Sequence, residues 1–186
     1  FADFSAASLV DDPSLERNGR DGTIIPTSRA IPASSEEYTV VVAASLAKYF
    51  IDSERALGFA AYIPYREVLQ PEHGARQLNR ILQSLAVARS FNPYSLAQML
   101  ALETPYFTRG TTLVIITASL DPSWITEAQI LSRRGIRPMC ILIDPYSFGG
   151  PLPANDITAL LRLARIPTIV IRKNDDIGST LSQRPL

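Results

Sequence analysis

The chain has 186 residues with 18 basic and 18 acidic side chains, so its formal net charge is zero. This length fits a single domain covering residues 1–186, and a hydrophobic fraction of 46% supports a packed core and excludes global disorder. Zero net charge argues against a general binder of nucleic acid or of anionic membranes. The single cysteine, Cys140, and the single histidine, His73, can form neither an internal disulfide nor a structural zinc site.

The hydropathy and the first residues indicate whether this chain contains a membrane helix or a signal peptide and which part of a longer protein it forms. No segment approaches the roughly 18 apolar residues of a membrane helix. The first residues lack the charged start and apolar stretch of a signal peptide, and Phe1 stands where a complete chain would begin with Met. We therefore expect the C-terminal part of a longer protein, a cytoplasmic domain that itself makes no membrane contact. Whether a membrane anchor precedes this segment is left open by the sequence.

Residues 8–33 differ in composition from the rest of the chain. They combine acidic and basic side chains with several glycines and prolines, and their apolar residues are few and unpatterned. This composition predicts a long surface loop. Because the charges are mixed and no aromatic residue could anchor a ligand, a tolerated insertion is favoured over a functional loop.

From Ser34 onward, the chain alternates between helical and strand patterns. Ser34 and Glu37 have the spacing of a capping box at a helix start, and Ser95 could cap a short helix further on. Tyr65–Leu69 reads as an irregular sheet edge and Pro71–Gly74 as a turn. The other elements predicted in this half are helices over 36–52, 76–89 and 96–102 and a buried strand over 57–63.

The second half continues the alternation. A β-branched run over 112–117 is typical of a strand covered on both faces. Asp121-Pro122 predicts the start of a helix, with Asp as its N-cap, and Arg133-Arg134-Gly135 predicts its end. Strands at 139–143 and 168–171, a helix at 156–165 and a terminal helical turn at 176–182 follow. The pattern predicts an α/β fold with a mainly parallel sheet and helices on both faces.

A parallel sheet places its functional site at the carboxyl ends of its strands, yet few catalytic signals are present. No G-x-G-x-x-G spacing occurs, and Gly149-Gly150 is better read as a tight turn than as a phosphate loop. His73 lies in a Pro/Gly turn, which favours a solvated histidine over a catalytic base. Cys140 lies inside an apolar strand, where a thiol is usually inert.

Several stretches, taken in order, resemble a known family. The first matches the end of a strand entering an Asp-x-Ser-x-Ser loop, and the others match the following helix and strand, a fourth strand and the tail. These stretches are Phe1–Ala7, Glu37–Ala47 with Leu57–Ala60, Leu113–Leu120, and Ile166–Ile177. Together they are similar to the bacterial von Willebrand factor A-like family catalogued as domain of unknown function 58. The similarity covers nearly the whole chain except residues 8–33.

The resemblance implies a three-layer, Rossmann-like fold. Its sheet would have the strand order 3-2-1-4-5-6, with a metal-dependent adhesion site at the carboxyl edge. Such a site holds Mg²⁺ through the Asp-x-Ser-x-Ser loop, a Thr in a second loop and an Asp after the fourth strand. Mg²⁺ requires six oxygen ligands in near-octahedral array and keeps several waters.

Carried over residue by residue, the family pattern is incomplete here. Asp3 and Ser5 match it, but Ala7 stands at the second Ser of the loop. The second-loop Thr falls near Tyr94 or Ser95, and the Asp after the fourth strand falls on Ala118. One certain anionic ligand competes poorly with hydration of Mg²⁺, so we expect no metal or other cofactor.

Two carboxylates keep alternative interpretations at this point. Asp121 could replace the missing ligand through a water molecule, although its neighbour Pro122 favours a helix-capping role. Asp3 could be a remnant ligand or simply a strand-end carboxylate bonded to loop amides.

The resemblance implies a non-enzymatic protein-interaction module, since members of the family are associated with MoxR-type AAA+ ATPases. The partner surface would comprise Asp3–Ser8, Phe91–Ser95 and Ala118–Asp121. The alternatives are a Rossmann-like enzyme that acts on a small molecule through Asp3, Ser5, Asp121 and Asp144, and a structural domain with a vestigial site. An enzyme needs a deep cavity with converging polar groups, whereas an interaction module needs only an exposed rim.

Overall fold

The computed structural model describes residues 1–4, 34–63, 65–89 and 93–183. The predicted surface loop over residues 8–33 lies outside the described residues, and so do Ser5 and Ala7.

Helices and strands alternate as the sequence predicts. The helices are α1 (Ser35–Asp52), α2 (Ala75–Ala86), α3 (Leu96–Glu103), α4 (Ser123–Arg133), α5 (Asn155–Leu163) and α6 (Ile177–Leu181). The strands are β1 (Leu57–Ile63), β2 (Tyr65–Glu72), β3 (Thr112–Thr117), β4 (Arg137–Ile143) and β5 (Thr168–Ile171). The α/β prediction is therefore confirmed.

Side-chain caps explain where several helices begin. The Ser34 hydroxyl accepts a hydrogen bond from the Glu37 amide at 3.1 Å at the start of α1. Ser95 and Gln98 form a reciprocal capping box at the start of α3. The predicted Asp N-cap of α4 is wrong by one residue, because Pro122 occupies the N-cap position. Pro has no amide hydrogen to lose at a helix start, so it is tolerated there.

The sheet combines a parallel part and an antiparallel hairpin. Strands β3, β4 and β5 are parallel neighbours in that order, with Thr112 opposite Arg137 and Cys140 opposite Thr168. Strands β1 and β2 pair antiparallel. The predicted sheet edge at Tyr65–Leu69 fits strand β2, whereas the turn predicted to begin at Pro71 is wrong, because Pro71 and Glu72 lie in that strand. Strand β2 continues to Glu72 with a register shift opposite Leu57 and Phe59, since a proline without a ladder donor is tolerated at a sheet edge.

The first residues lie between the hairpin and the parallel strands. Ala2 forms parallel bridges to Ala61 in β1 and to Ile116 in β3. Its amide donates to the Ala60 carbonyl at 3.1 Å, and the Asp3 amide donates to the Ile116 carbonyl at 2.9 Å. The described residues thus contain five strands and one bridged segment, so the predicted six-strand order is met only in part.

Helices cover both faces, as predicted. One buried cluster packs α1, α2 and α6 against the sheet and is centred on Phe4, Val42, Ile81, Ile116 and Ile143. The other packs α3, α4 and α5 and is centred on Met99, Ile115, Trp124, Leu142 and Leu161. Alternate residues of each strand point to opposite faces, so Ile115 and Ile116 belong to different clusters. The described residues form a Rossmann-like arrangement with a parallel three-stranded sheet.

Candidate functional site at the carboxyl edge of the sheet

Strand register brings together polar residues that are far apart in the chain. The bridge between Ala2 and Ile116 places the next residues, Asp3 and Thr117, side by side. The ladder between β4 and β5 brings the end of β4 beside Ile171, where the Asp144 amide donates to the Ile171 carbonyl at 2.8 Å. These residues follow strands that run in the same direction, so they share the carboxyl edge.

A short hydrogen bond at this edge joins Thr117 to Asp3. The Thr117 hydroxyl donates to Asp3 Oδ2 at 2.6 Å, and Asp3 is only 2% exposed. The same hydroxyl oxygen accepts the Ser119 amide at 2.9 Å. A buried carboxylate is costly unless it is hydrogen-bonded, so Thr117 stabilises the charge of Asp3. Asp3 is a hydrogen-bonded strand-end carboxylate whose donor here is the Thr117 hydroxyl, and its bonding to loop amides stays a prediction.

The hydrogen bonds continue from Ser119 to the start of α4. The Ser119 hydroxyl accepts the Asp121 amide at 3.3 Å. The Asp121 carboxylate accepts the Ser123 amide at 3.0 Å and the Ser123 hydroxyl at 2.6 Å. These bonds to Ser123 lower the pKa of Asp121, because they favour its ionised form. Asp121 therefore fixes the entrance of α4 from the residue before the N-cap.

Two further positions of the family pattern have structural roles. Ala118 is 4% exposed and packs in the cluster beneath α1 and α2, so a carboxylate there would enter apolar surroundings. The Ser95 hydroxyl accepts the Gln98 amide of α3 at 3.3 Å. No hydrogen bond between Ser95 and Asp3 occurs in the described part of the chain.

Asp144 is the remaining acid at the ends of the parallel strands. It is 7% exposed, and its carboxylate accepts the Tyr146 amide at 3.2 Å. Arg172 Nε lies 3.4 Å from the other carboxylate oxygen. Asp144 thus caps the short 3₁₀ turn that follows β4 and is neutralised by a cation from the end of β5.

Within the described residues, this edge offers few ligands for Mg²⁺. Among the described residues, no group of three or more His, Cys, Asp or Glu side chains could hold a metal ion. Asp3 is bonded to Thr117, the Ser95 hydroxyl caps a helix and Ala118 offers no oxygen. Even though bound Mg²⁺ keeps several waters, a single carboxylate competes poorly with full hydration of the ion. Ser5, the other matching position, lies outside the described residues.

A second polar cluster lies beside the β1–β2 hairpin. Glu103 is 1% exposed and accepts hydrogen bonds from Arg66 Nε at 2.6 Å, from Arg66 Nη2 at 2.9 Å and from the Tyr62 hydroxyl at 2.9 Å. Burial, followed by the bond to Glu103 and its negative charge, raises the pKa of Tyr62 to about 12. This cluster ties the hairpin to the end of α3.

An open groove of about 390 Å³ borders this second cluster. Its walls contain four tyrosines, and Arg66 stacks over one of them, Tyr106, at 5.2 Å from the ring centre. The lining residues are Tyr62, Tyr65, Arg66, Pro93, Tyr94, Leu102 and Tyr106. Asp3, Asp121 and Asp144 do not line this groove.

The surroundings of His73 and Cys140, the two residues considered as possible catalytic groups, do not favour catalysis. His73 is exposed, with Nδ1 3.2 Å from the Glu54 carbonyl oxygen. Cys140 is fully buried, and burial raises the pKa of its thiol, so the thiolate is disfavoured.

The sequence analysis missed the residues that hold the edge together. The sequence predicts Thr117 only as the end of a strand, and it assigns no role to Glu103. For Thr117 and Ser119, the Thr-x-Ser pattern directly after a buried strand is a usable signal, since hydroxyls at strand ends bond to loop amides. For Glu103, no local signal exists, because its partners Tyr62 and Arg66 are distant in the chain.

The fold and this edge define an α/β protein of Rossmann-like type with a hydrogen-bonded polar edge. Its structure is similar to the crystal structure of the conserved hypothetical protein BatB from Bacteroides thetaiotaomicron, with a TM-score of 0.59. The two chains are 11% identical, and the match covers 97% of this chain and 92% of that one. At this identity the likeness shows the fold alone. No family model and no curated protein matches the sequence.

None of the helices in the described residues combines the length and the apolar character needed to cross a bilayer.

Proposed function

We propose that this chain is a protein-interaction module with a von Willebrand factor A-like fold, related to the family catalogued as domain of unknown function 58. The observation that carries the proposal is the state of the carboxyl edge. Asp3 is buried against the Thr117 hydroxyl, and Ala118 is packed in the core. An edge of this kind keeps the adhesion-site position and binds a partner without a metal ion.

The proposed fold assigns the first residues to a strand. Phe1–Phe4 would be the end of a first strand between β1 and β3, which gives the order 3-2-1-4-5-6 for the whole sheet. Three hydrogen bonds to β3 support this assignment: Phe1 nitrogen to Val114 oxygen at 2.7 Å, Ile116 nitrogen to Phe1 oxygen at 2.9 Å, and Asp3 nitrogen to Ile116 oxygen at 2.9 Å. This alternation is typical of a parallel ladder.

The proposed contact surface is the exposed rim around Asp3. Tyr94 precedes α3 and is 48% exposed, and Tyr146 follows β4 and is 59% exposed. Asp121, also exposed, follows β3. Exposed tyrosines on loops held by a rigid sheet are typical anchors of protein interfaces, because they bury a large area at low entropic cost. We name Tyr94, Asp121 and Tyr146 the rim residues.

The proposed partner is a MoxR-type AAA+ ATPase, which requires this domain to face the cytoplasm. This choice rests on the family resemblance. The rim residues supply the contact, and the degenerate adhesion site lets that contact form without a divalent ion on this chain.

Biolayer interferometry with this chain and a purified MoxR-type ATPase from the same genome tests the proposal. We expect saturable binding that weakens at least about tenfold in the double variant Asp121→Ala/Tyr146→Ala, the size of a hot-spot loss. Tyr49→Ala is the matched control, since Tyr49 is 65% exposed but lies near the end of α1. Absence of binding, or an equal loss in the control, would contradict the proposal.

The metal-free nature of the site has its own test. Calorimetric titration with Mg²⁺ and Mn²⁺ should show no saturable binding. Micromolar affinity that disappears in Asp3→Ala would show that Asp3 still holds a metal ion, and the claim of a metal-free edge would fail.

The alternative of a small-molecule enzyme has less support at this edge. The carboxylates of Asp3, Asp121 and Asp144 are each bonded to a side chain or amide of the chain itself. The groove described above lies beside Glu103 instead, and Glu103 is held by both Arg66 and Tyr62. A general acid or base needs a carboxylate that reaches a substrate.

A further inference from the structure

Exposed arginines lie at the amino edge of the sheet, on the helix ends and loops that precede the parallel strands and at the start of β4. Strand pairing places these loops side by side. The Gly110 amide donates to the Gly135 carbonyl at 2.9 Å, and the Cys140 amide donates to the Pro167 carbonyl at 2.8 Å. The six residues, which we name the arginine edge, are Arg109, Arg133, Arg134, Arg137, Arg162 and Arg165, and all are exposed.

Among the residues that the structure describes, no carboxylate forms an ion pair with these arginines. The segments 104–111, 132–137 and 162–168 contain no Asp or Glu. In the described part of the chain, the four ion pairs join other residues, and none involves the arginine edge. The neighbouring Glu103 is buried and already paired with Arg66. Although the net charge of the chain is zero, one edge therefore carries six arginines that have no carboxylate partner within the described ranges.

Helix ends explain only part of this arrangement. Arg133 and Arg134 at the end of α4, and Arg162 and Arg165 at the end of α5, complement the negative ends of the helix dipoles. Arg109 and Arg137 lie outside helices, so this stabilisation does not account for them. Because arginines at helix ends and arginines outside helices lie together on one edge, the cluster points to a ligand.

Several of the arginine side chains are held in place. Arg134 Nη1 donates to the Thr104 carbonyl at 3.1 Å, and Arg137 Nη2 lies 3.4 Å from the Gly110 carbonyl. Arg109 packs against Gly135, where an added Cβ would lie 2.8 Å from Arg109 Cγ. Fixed guanidinium groups favour planar ligands that accept two parallel hydrogen bonds, and carboxylates have that geometry. A lipid surface attracts positive charge whatever its direction, so fixed guanidinium groups bind it little better than mobile ones.

We propose that the arginine edge binds an acidic segment of a protein partner, rich in Asp and Glu. This surface is separate from the rim residues, since it lies at the opposite edge of the sheet. The inference therefore does not depend on the ATPase partner, and either proposal can fail alone. A protein bound at both edges would span the domain along its strands.

Fluorescence anisotropy with a labelled octaglutamate peptide tests the inference on the whole chain. We expect micromolar affinity at low salt that falls steeply as ionic strength rises, as for exposed charge pairs. Arg134→Gln/Arg137→Gln should weaken binding at least about tenfold. Arg76→Gln/Arg80→Gln on α2 is the matched control, which removes the same charge elsewhere and should stay within about twofold.

A second variant guards against a folding defect, because Arg134 and Arg137 also bond to backbone carbonyls. Arg133 and Arg162 make no such bonds within the described residues, so Arg133→Gln/Arg162→Gln should keep the circular dichroism spectrum and still weaken binding. Failure of octaglutamate to bind, or equal losses in the α2 control, would overturn the inference. Tighter binding to phosphatidylglycerol vesicles or to oligothymidylate than to octaglutamate would also overturn it, since the partner class would be wrong.

Discussion

The two edges of the parallel sheet differ in whether their charged side chains are bonded within the chain. At the carboxyl edge, Asp3, Asp121 and Asp144 are bonded to hydroxyls and amides of the chain itself. At the amino edge, the six arginines have no carboxylate partner in the described residues. A site expected from family resemblance is thus occupied by internal hydrogen bonds. The amino edge, where the family resemblance implies no site, presents the exposed arginines.

This contrast shows why net charge is a poor guide to binding surfaces. The chain is neutral, which argued against a general polyanion binder. Strand direction nevertheless places the ends of α4 and α5, with their arginines, at one edge, and the acids at helix starts at the other. Helix dipoles favour this separation, since acids stabilise helix starts and cations stabilise helix ends.

The largest expected effect tests whether the carboxyl edge is held by Thr117. Thr117→Val removes the donor to the buried Asp3 carboxylate and the acceptor of the Ser119 amide. We expect the free energy of unfolding in urea to fall by about 2–3 kcal/mol, because two buried groups lose a partner. Thr39→Val is the control: that hydroxyl is buried but bonds only a carbonyl within α1, so its loss should cost about 1 kcal/mol or less.

Equal losses in Thr117→Val and Thr39→Val would mean that Asp3 does not depend on Thr117. The carboxyl edge would then be less tightly bonded than the geometry indicates, and the contrast between the edges would weaken.

A smaller effect tests how the arginine edge is positioned. Gly135 has φ +83°, and an added Cβ would meet the Arg109 side chain, whereas Gly110 has φ +89° with open space around it. Both Gly→Ala variants should lose about 1 kcal/mol of stability from backbone strain. Only Gly135→Ala should also displace Arg109 and weaken octaglutamate binding. An equal effect of both variants on binding would show that Arg109 is not held by its contact with Gly135.

The smallest effect concerns the pH dependence of the carboxyl edge. The bonds from Ser123 lower the pKa of Asp121 below its ordinary value of 3.8. Its stabilising contribution is therefore present above that ordinary value and is lost as pH falls through the lowered pKa of the folded state. In an NMR titration, Ser123→Ala should move the Asp121 pKa back toward 3.8. An unchanged pKa would show that Ser123 does not stabilise the Asp121 carboxylate.

Most of the helices and strands could be predicted because their signals are local. The Ser95 cap, the β-branched run of β3 and the Gly135 helix stop each act within a few residues. The errors also have local causes. Pro71 predicted a turn but lies in an edge strand, and Pro122 took the N-cap position expected for Asp121.

The amino-acid sequence alone determined an α/β chain with alternating elements, an incomplete adhesion-site pattern and no recognisable catalytic motif. Only the tertiary structure decided that Asp3 bonds Thr117 across 114 positions, that Glu103 pairs with Arg66, and that six arginines share one edge. The physical reason is strand register. Local patterns specify where a helix or strand forms, but the pairing of distant strands decides which polar side chains meet and which stay open to a partner.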